Sequence, residues 1–280
     1  MAKYIMSAFA DEYSRDFDTQ IKALCENGIG YIEPRFIGAK GIADINADEA
    51  REIKRKLDAA GIRASSVGSP LGKIKLSDDF SAHLETCRRV FETANILDTR
   101  NVRMFSFYAA DGKNIADYRD EVIDKLGQMI ELAGSCGLTL CHENEGGIYG
   151  ETADACLDLL DTFGGWLRCV FDMGNFVYGG HDPVEAYGKL NPYIEYFHIK
   201  DALYSHAIVP PGCGEAKIAE ILREHAERYD RDVFVTLEPH LSIQDDVKAL
   251  TGREINSPYK FENKQVAFVV AADKLKEIIK

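Results

Sequence analysis

Short runs of β-branched, aromatic and other apolar residues alternate along the chain with longer stretches whose apolar positions recur at helical spacing, and polar or glycine-containing breaks separate them. The short runs are YIMSAF (4–9), YIEPRF (31–36), IRASSVG (62–68), VRMFSFY (102–108), LTLCHEN (138–144), LRCVFDM (167–173), YIEYFHIK (193–200) and VFVTLEP (233–239). A helical stretch follows each of them. In the first, Ile21, Leu24 and Cys25 share a face, and Gly28 and Gly30 stop the helix. The second, DEAREIKRKLDAAG, ends at Gly61, the third runs from Asp78 to Leu97, and the fourth covers 118–137. Thr152 opens the fifth, and Pro183 sits at the start of the sixth, where its missing N–H does no harm. Residues 215–229 and 261–280 supply the last two. Eight strand–helix pairs in succession predict parallel pairing and closure into a (β/α)8 barrel.

The length of 280 residues suits one such barrel, which typically takes about 250. No composition shift or linker marks a second unit, so residues 1–280 are expected to form a single domain. A formal charge of -13 without any long basic run argues against a nucleic-acid partner. Seven cysteines, an odd number with no CxxC pair, read as reduced and mostly buried thiols of an intracellular protein. The start of the chain shows neither a signal peptide nor a membrane span, so a cytoplasmic location is expected. Two connections are long, 200–215 and 240–259, and both follow strands on the side where a barrel keeps its active site. They are candidate lids or contacts in a homo-oligomer.

Residues at the C-terminal ends of barrel strands form the site, so those positions carry the chemistry. The fifth run ends in Glu143, the sixth in Asp172, the seventh in His198 and the eighth in Glu238. Side chains two apart along a strand share a face. Phe197 and Ile199 suit the helix layer and leave His198 facing the lumen; Cys169 and Phe171 do the same for Asp172, and Val233, Val235 and Leu237 for Glu238. Leu138 and Leu140 lean toward an inward Glu143. Three carboxylates and one imidazole make a mostly oxygen site, suited to Mn²⁺, Mg²⁺ or Co²⁺ at least as well as to Zn²⁺. A closed structural zinc site would need a cysteine–histidine cluster that the chain does not offer. The expected cofactor is therefore one catalytic divalent ion, and Glu145, Lys200 and His240 extend the same inward-facing rim.

HEN at 142–144, FDMGN at 171–175, FHIKD at 197–201, PPGCGE at 210–215 and LEP at 237–239 together resemble the xylose isomerase-like TIM barrels, a group spanning sugar phosphate isomerases and epimerases and apurinic-endonuclease-type barrels. The resemblance covers the whole chain. It implies that Glu143, Asp172, His198 and Glu238 hold the metal, and that Glu143 and Glu238 exchange protons with a ketose or polyol-derived carbonyl substrate through an enediolate. An isomerase or epimerase of carbohydrate metabolism is the first reading. The alternative is a lyase of the inosose dehydratase type, in which His240 or Lys200 protonates a departing hydroxyl. An apurinic endonuclease fits less well, since such barrels add histidines at early strand ends where this chain has Glu33 and Ser66. The chain also departs from the epimerase pattern: Asn175 stands where a histidine usually follows the Asp ligand, with His181 later, and Glu215 and the distant Arg253 stand in place of an arginine near the seventh strand.

Substrate contacts are expected from Glu33, Asn175, His181, Lys200, His240 and Phe107. Glu33 has a salt bridge to Arg35 or Arg103 as its structural alternative, Lys200 an ion pair with Glu238, and His181 a helix cap. Phe9, Phe36, Phe105, Phe107 and Trp166 read mainly as core, with Phe9 and Phe107 close enough to strand ends to stack on a sugar ring. His83 and His225 read as surface residues of helices. Glu215 in the glycine loop argues against a phosphate there, so a neutral polyol or free sugar is the expected substrate.

Overall fold

The computed structural model describes residues 3–110, 112–241 and 257–280. Eight strands line the barrel: β1 (Tyr4–Ala8), β2 (Tyr31–Ile32), β3 (Arg63–Ala64), β4 (Asn101–Met104), β5 (Thr139–Glu143), β6 (Leu167–Asp172), β7 (Ile194–Ile199) and β8 (Val233–Leu237). Six of them form one continuous parallel sheet in the order β1, β8, β7, β6, β5, β4. β2 and β3 pair with each other in parallel. A few backbone bonds join that pair to its neighbours: Glu33 N–H donates to Ala8 O at 3.1 Å, Val67 N–H to Asn101 O at 2.9 Å and Arg103 N–H to Val67 O at 3.0 Å. The fold is the TIM barrel expected from the alternation.

β2 and β3 are shorter than their apolar runs. Pro34 has no N–H to continue a ladder, and the chain turns at once into a small hairpin pairing Phe36–Ile37 with Lys40–Gly41. Beyond β4, Phe105 and Phe107 donate their N–H groups to Leu71 O and Gly72 O of the preceding loop, which removes them from the sheet.

The helices begin where polar side chains can cap them. α1 (Phe17–Glu26) is capped by Asp16, α2 (Ala47–Ala59) by an Asn46–Glu49 capping box, α3 (Phe80–Ile96) by Asp79 and α5 (Ala153–Phe163) by Thr152. α4 (Arg119–Ser135) has no such cap. A six-residue helix absent from the sequence reading, α6 (Met173–Tyr178), follows β6 directly, because Asp172 Oδ1 accepts the Asn175 N–H at 2.8 Å and caps it. α7 (Pro183–Leu190), α8 (Ile218–Arg228) and α9 (Lys264–Ile278) complete the outer layer. Of the long connection 240–259, residues 242–256 and with them Arg253 lie outside the described residues. The other long connection forms a hairpin pairing Asp201–Ala202 with Ile208–Val209.

Several helix-layer assignments change. Cys25 is exposed, and α1 turns Phe17, Gln20, Ala23 and Leu24 inward instead. Cys87, Cys141, Cys156 and Cys169 are buried, whereas Cys136 is exposed. Trp166 is 72% exposed and is not core. The reverse holds for two histidines: His83 Nε2 accepts the Gly72 N–H at 3.0 Å, and His225 lies under α8 with its ring edge-on to Phe197 and Nδ1 3.2 Å from the Tyr187 hydroxyl. Both are buried, each with one ring nitrogen hydrogen-bonded, although His225 Nε2 has no partner. Among the described residues no helix is long and apolar enough to cross a membrane.

Burial pulls His225 down to about 4, and His142, which meets Ser106 Oγ at 2.9 Å, likewise. A free histidine titrates near 6.5, so below that pH the unfolded chain binds protons that the folded chain refuses. Their stabilisation is complete above about pH 6.5 and is lost as the pH falls toward about 4. Thermal unfolding followed by circular dichroism is expected to show a falling Tm over that window, with a shallower fall in His225→Gln; an equal slope in the variant refutes the assignment.

Candidate metal centre

Parallel register brings the four strand-end residues together. Asp172 on β6 pairs with His198 on β7, and His198 with Thr236 on β8, so Glu238 stands two residues further on the same lumen-facing side. Phe171 and Phe197 point the other way and pack on each other in the helix layer. Glu143, Asp172, His198 and Glu238 are all buried, and one ligand atom from each lies within 4.8 Å of the others. His198 Nδ1 is 3.0 Å from Glu143 Oε1 and 3.0 Å from Glu238 Oε2.

The chemistry of these donors fits a divalent cation. Glu143 Oε2 and Glu238 Oε2 are buried and accept no well-directed hydrogen bond, although cations lie beside them: Arg103 Nη1 at 3.1 Å from the first and Lys200 Nζ at 3.7 Å from the second. Buried carboxylate oxygens with spare lone pairs are costly unless a further positive charge completes them. Three such groups with one imidazole make a donor set typical of oxygen-preferring divalent ions.

The electrostatics hold both glutamates ionised, whereas burial raises Asp172 to about 7 even against the pull of Lys200. Burial would raise Glu143, but His198 and Arg103 overcome it and hold the carboxyl at about 2. Burial is likewise overcome at Glu238, held well below the usual range by Lys200, His240 and His198. Lys200 is kept protonated despite burial by Asp172, Glu238 and Glu143. Its Nζ bonds Asp172 Oδ2 and Asn175 Oδ1, both at 3.0 Å. The ion pair expected between Lys200 and Glu238 is thus the weaker of two. Asn175 also reaches Asn144 O at 2.9 Å, and Asn144 in turn clamps the backbone of Asp172 through bonds of 2.9 and 3.0 Å. Gly174 makes this approach feasible, since a Cβ there would stand 2.6 Å from Lys200 O.

A second group at the rim shares Glu238. One ligand atom each from Glu12, Glu238 and His240 also lie within 4.8 Å of one another. The Arg35 guanidinium touches all three, at 3.3 Å from Glu12, 3.1 Å from Glu238 and 3.2 Å from His240, and it also binds Asp11. This trio therefore already has its cation. Burial raises Glu12 to about 7 even against the pull of Arg35. Below the rim, Phe9 is fully buried, with Arg35 and Arg103 over its ring at 4.5 and 4.9 Å and His198 edge-on at 5.0 Å.

The remaining site expectations divide. Lys200, Asn175 and His240 are grouped with the four, and the side chain of His240 is 43% exposed at the mouth. Glu33 is not at the mouth: it is fully buried beneath His198, its oxygens taken by Tyr196, Thr236 and His198, and neither Arg35 nor Arg103 pairs with it. Phe107 is also misplaced by the sequence reading, being wholly buried against Phe80 and His83 where the chain leaves the sheet. His181 packs edge-on to Phe176, and its carbonyl accepts the Tyr204 hydroxyl; the cap of α7 is Asp182. Glu145 pairs with Lys73. In the glycine loop, the N–H groups of Gly214 and Ala216 already bond Asp201, and Glu215 accepts the Tyr204 N–H. No anion cradle is left there. The sequence reading missed Asp11, Glu12 and Tyr196, and gave Arg35 and Arg103 the wrong partners. Arg103 alternating with Val102 and Met104 was the available signal, since a charge inside an apolar strand must find counter-charge in the lumen.

A model of the xylose isomerase-like TIM barrel family matches residues 21–253. The chain belongs to that family. A 3-dehydroshikimate dehydratase of Bacillus anthracis is 28% identical over 145 residues, covering 49% of this chain and 50% of the relative. An inosose dehydratase of Geobacillus kaustophilus is 29% identical over 85 residues, 29% of this chain and 27% of that one. The chain thus spans half or less of the length of these curated relatives. Solved family folds superpose along the full length. A xylose isomerase-like TIM barrel protein from Mycobacterium smegmatis in complex with magnesium gives a TM-score of 0.72 at 17% identity, over 98% of this chain and 95% of that one. D-psicose 3-epimerase with D-tagatose from Clostridium cellulolyticum H10 gives 0.72 at 14% identity, over 98% and 99%.

Reconstituted with Mn²⁺ or Co²⁺ and dialysed, the protein is expected to retain close to one ion per chain by elemental analysis, and Asp172→Asn to bind at least about tenfold more weakly. Retention of no ion by the unaltered chain refutes the metal centre.

Proposed function

We propose that the protein is a divalent-metal-dependent lyase that removes water from an unphosphorylated, ring-shaped hydroxy ketone derived from a polyol, a substrate of the kind named by its dehydratase relatives. The observation that carries this reading is the unlike surroundings of two carboxylates on one centre. Glu143 and Glu238 both lie 3.0 Å from His198 Nδ1, but Lys200 and His240 gather on the side of Glu238, at 3.7 and 3.4 Å.

A β-elimination needs that asymmetry. Glu143, held ionised by Arg103, takes the proton from the carbon next to the ketone. The C–H electron pair becomes the new double bond, the C–O bond beyond it breaks, and Lys200, kept protonated against burial by Asp172 and Glu238, delivers a proton so that the hydroxyl departs as water; burial pulls His240 down to about 3 and leaves it a neutral acceptor. Glu143, Asp172, His198 and Glu238 would hold a divalent ion, which would supply positive charge to polarise the ketone; magnesium, present in the Mycobacterium smegmatis relative, and manganese suit the donor set. In this reading Asn175 and Lys200 orient substrate oxygens. The absence of a free N–H cradle in the glycine loop supports a substrate without phosphate.

A second reading, an isomerase or epimerase of a free ketose, draws on the equal distances of Glu143 and Glu238 from the same imidazole nitrogen, which suit proton removal at one face and return at the other. Mass spectrometry separates the two. With 3-dehydroshikimate, inososes and free ketoses as a panel, the expected product is lighter than its substrate by one water, and Glu143→Gln loses at least about a hundredfold in turnover. Products of unchanged mass, with solvent deuterium incorporated, would instead establish the epimerase.

A further inference from the structure

Glu33 is the most deeply buried carboxylate of the lumen that the proposed reaction does not use. It is fully buried, yet it accepts three hydrogen bonds: from the Tyr196 hydroxyl at 2.9 Å, from the Thr236 hydroxyl at 2.8 Å and from His198 Nε2 at 3.2 Å. Tyr196 is itself fixed by Ser66 at 2.9 Å. Both acceptor oxygens of Glu33 are thus committed, and its distance from solvent leaves no room for a substrate hydroxyl.

The two nitrogens of His198 face opposite ways. Nδ1 faces Glu143 Oε1 and Glu238 Oε2, both at 3.0 Å and both on residues of the group of four, while Nε2 points away from them at Glu33. A neutral imidazole carries one N–H, and a ligand nitrogen must be the one without it. We propose that Glu33 is a positioning residue for the metal centre: by accepting the Nε2–H it fixes the tautomer and ring angle of His198 and presents Nδ1 to the ion. Tyr196 and Thr236 hold the Glu33 carboxylate in turn, so the lumen is a chain of side chains ending in a metal ligand. An anionic acceptor behind the imidazole also makes Nδ1 more electron-rich, which strengthens its bond to a cation. The inference rests on reading His198 as a ligand, and it adds a role for a residue outside the group of four.

The test is a titration of the metal-free protein with Co²⁺, following both affinity and the visible ligand-field spectrum, in the unaltered chain, Glu33→Gln and Tyr196→Phe. The amide of Glu33→Gln preserves size but removes the charge and allows the opposite tautomer. It is expected to weaken Co²⁺ binding by about 10- to 100-fold and to alter the spectrum. Tyr196→Phe keeps the ring that lies edge-on to His198 and removes one of the two hydroxyls that hold Glu33, the one on the oxygen not facing His198, and is expected to lower Tm and to weaken Co²⁺ binding by less than Glu33→Gln does. If Glu33→Gln binds Co²⁺ as tightly as the unaltered chain and with the same spectrum, the positioning role is overturned while the metal centre stands. If the unaltered chain binds no Co²⁺, the metal centre fails and this inference with it. Glu33→Asp, which restores the charge at a shorter reach, is expected to recover part of the lost affinity; recovery no better than Gln overturns the electrostatic part of the proposal.

Discussion

Charge compensation in a dry barrel mouth is the constraint on which the site depends. Glu33, Glu143, Asp172 and Glu238 are almost wholly removed from solvent, and a buried carboxylate without counter-charge costs several kcal/mol. Three of them are answered by a lysine or arginine from a different strand or loop: Arg103 from β4 meets Glu143, Lys200 after β7 meets Asp172, and Arg35 after β2 meets Glu238, while Glu33 has only His198 and two hydroxyls. His198 stands between three of the carboxylates. Glu143 and Glu238 each keep one oxygen without a well-directed hydrogen bond, and both belong to the group of four whose ligand atoms lie within 4.8 Å of one another, where a divalent ion fits.

The same groups also hold the scaffold. Asp172 ends β6, caps α6 and binds Lys200, so the helix that follows the strand is fixed by a residue of the metal centre. Asn144 and Asn175 tie the ends of β5 and β6 together around it. At the opposite side, Arg35 links the segment after β1, through Asp11 and Glu12, to Glu238 after β8. The barrel therefore closes at its mouth through charged side chains where its backbone pairing between β1, β2, β3 and β4 is sparse.

The strand–helix alternation and the four strand-end residues were legible because both follow from local periodicity. Parity within β6, β7 and β8 placed Asp172, His198 and Glu238 inward from the positions of Phe171, Phe197 and Leu237 alone. The two misplaced strand-end residues share one cause. Glu33 was read as lining the mouth because it ends an apolar run, but β2 stops at Ile32 and its successor lies below His198. Phe107 was read the same way, though the chain has already left the sheet there, with Phe107 at a positive φ of 65°. His83 and His225 fall within helices and are expected at the surface, yet each meets one buried partner.

By itself, then, the sequence determined the barrel and the residues that end its strands, since a period of two and a period of 3.6 are properties of the local chain. Depth along the lumen, and the choice of cation for each carboxylate, were settled only by tertiary structure. Those depend on stagger between strands far apart in sequence: 163 residues separate Glu33 from Tyr196 and 203 separate Arg35 from Glu238, and nothing local encodes either pairing.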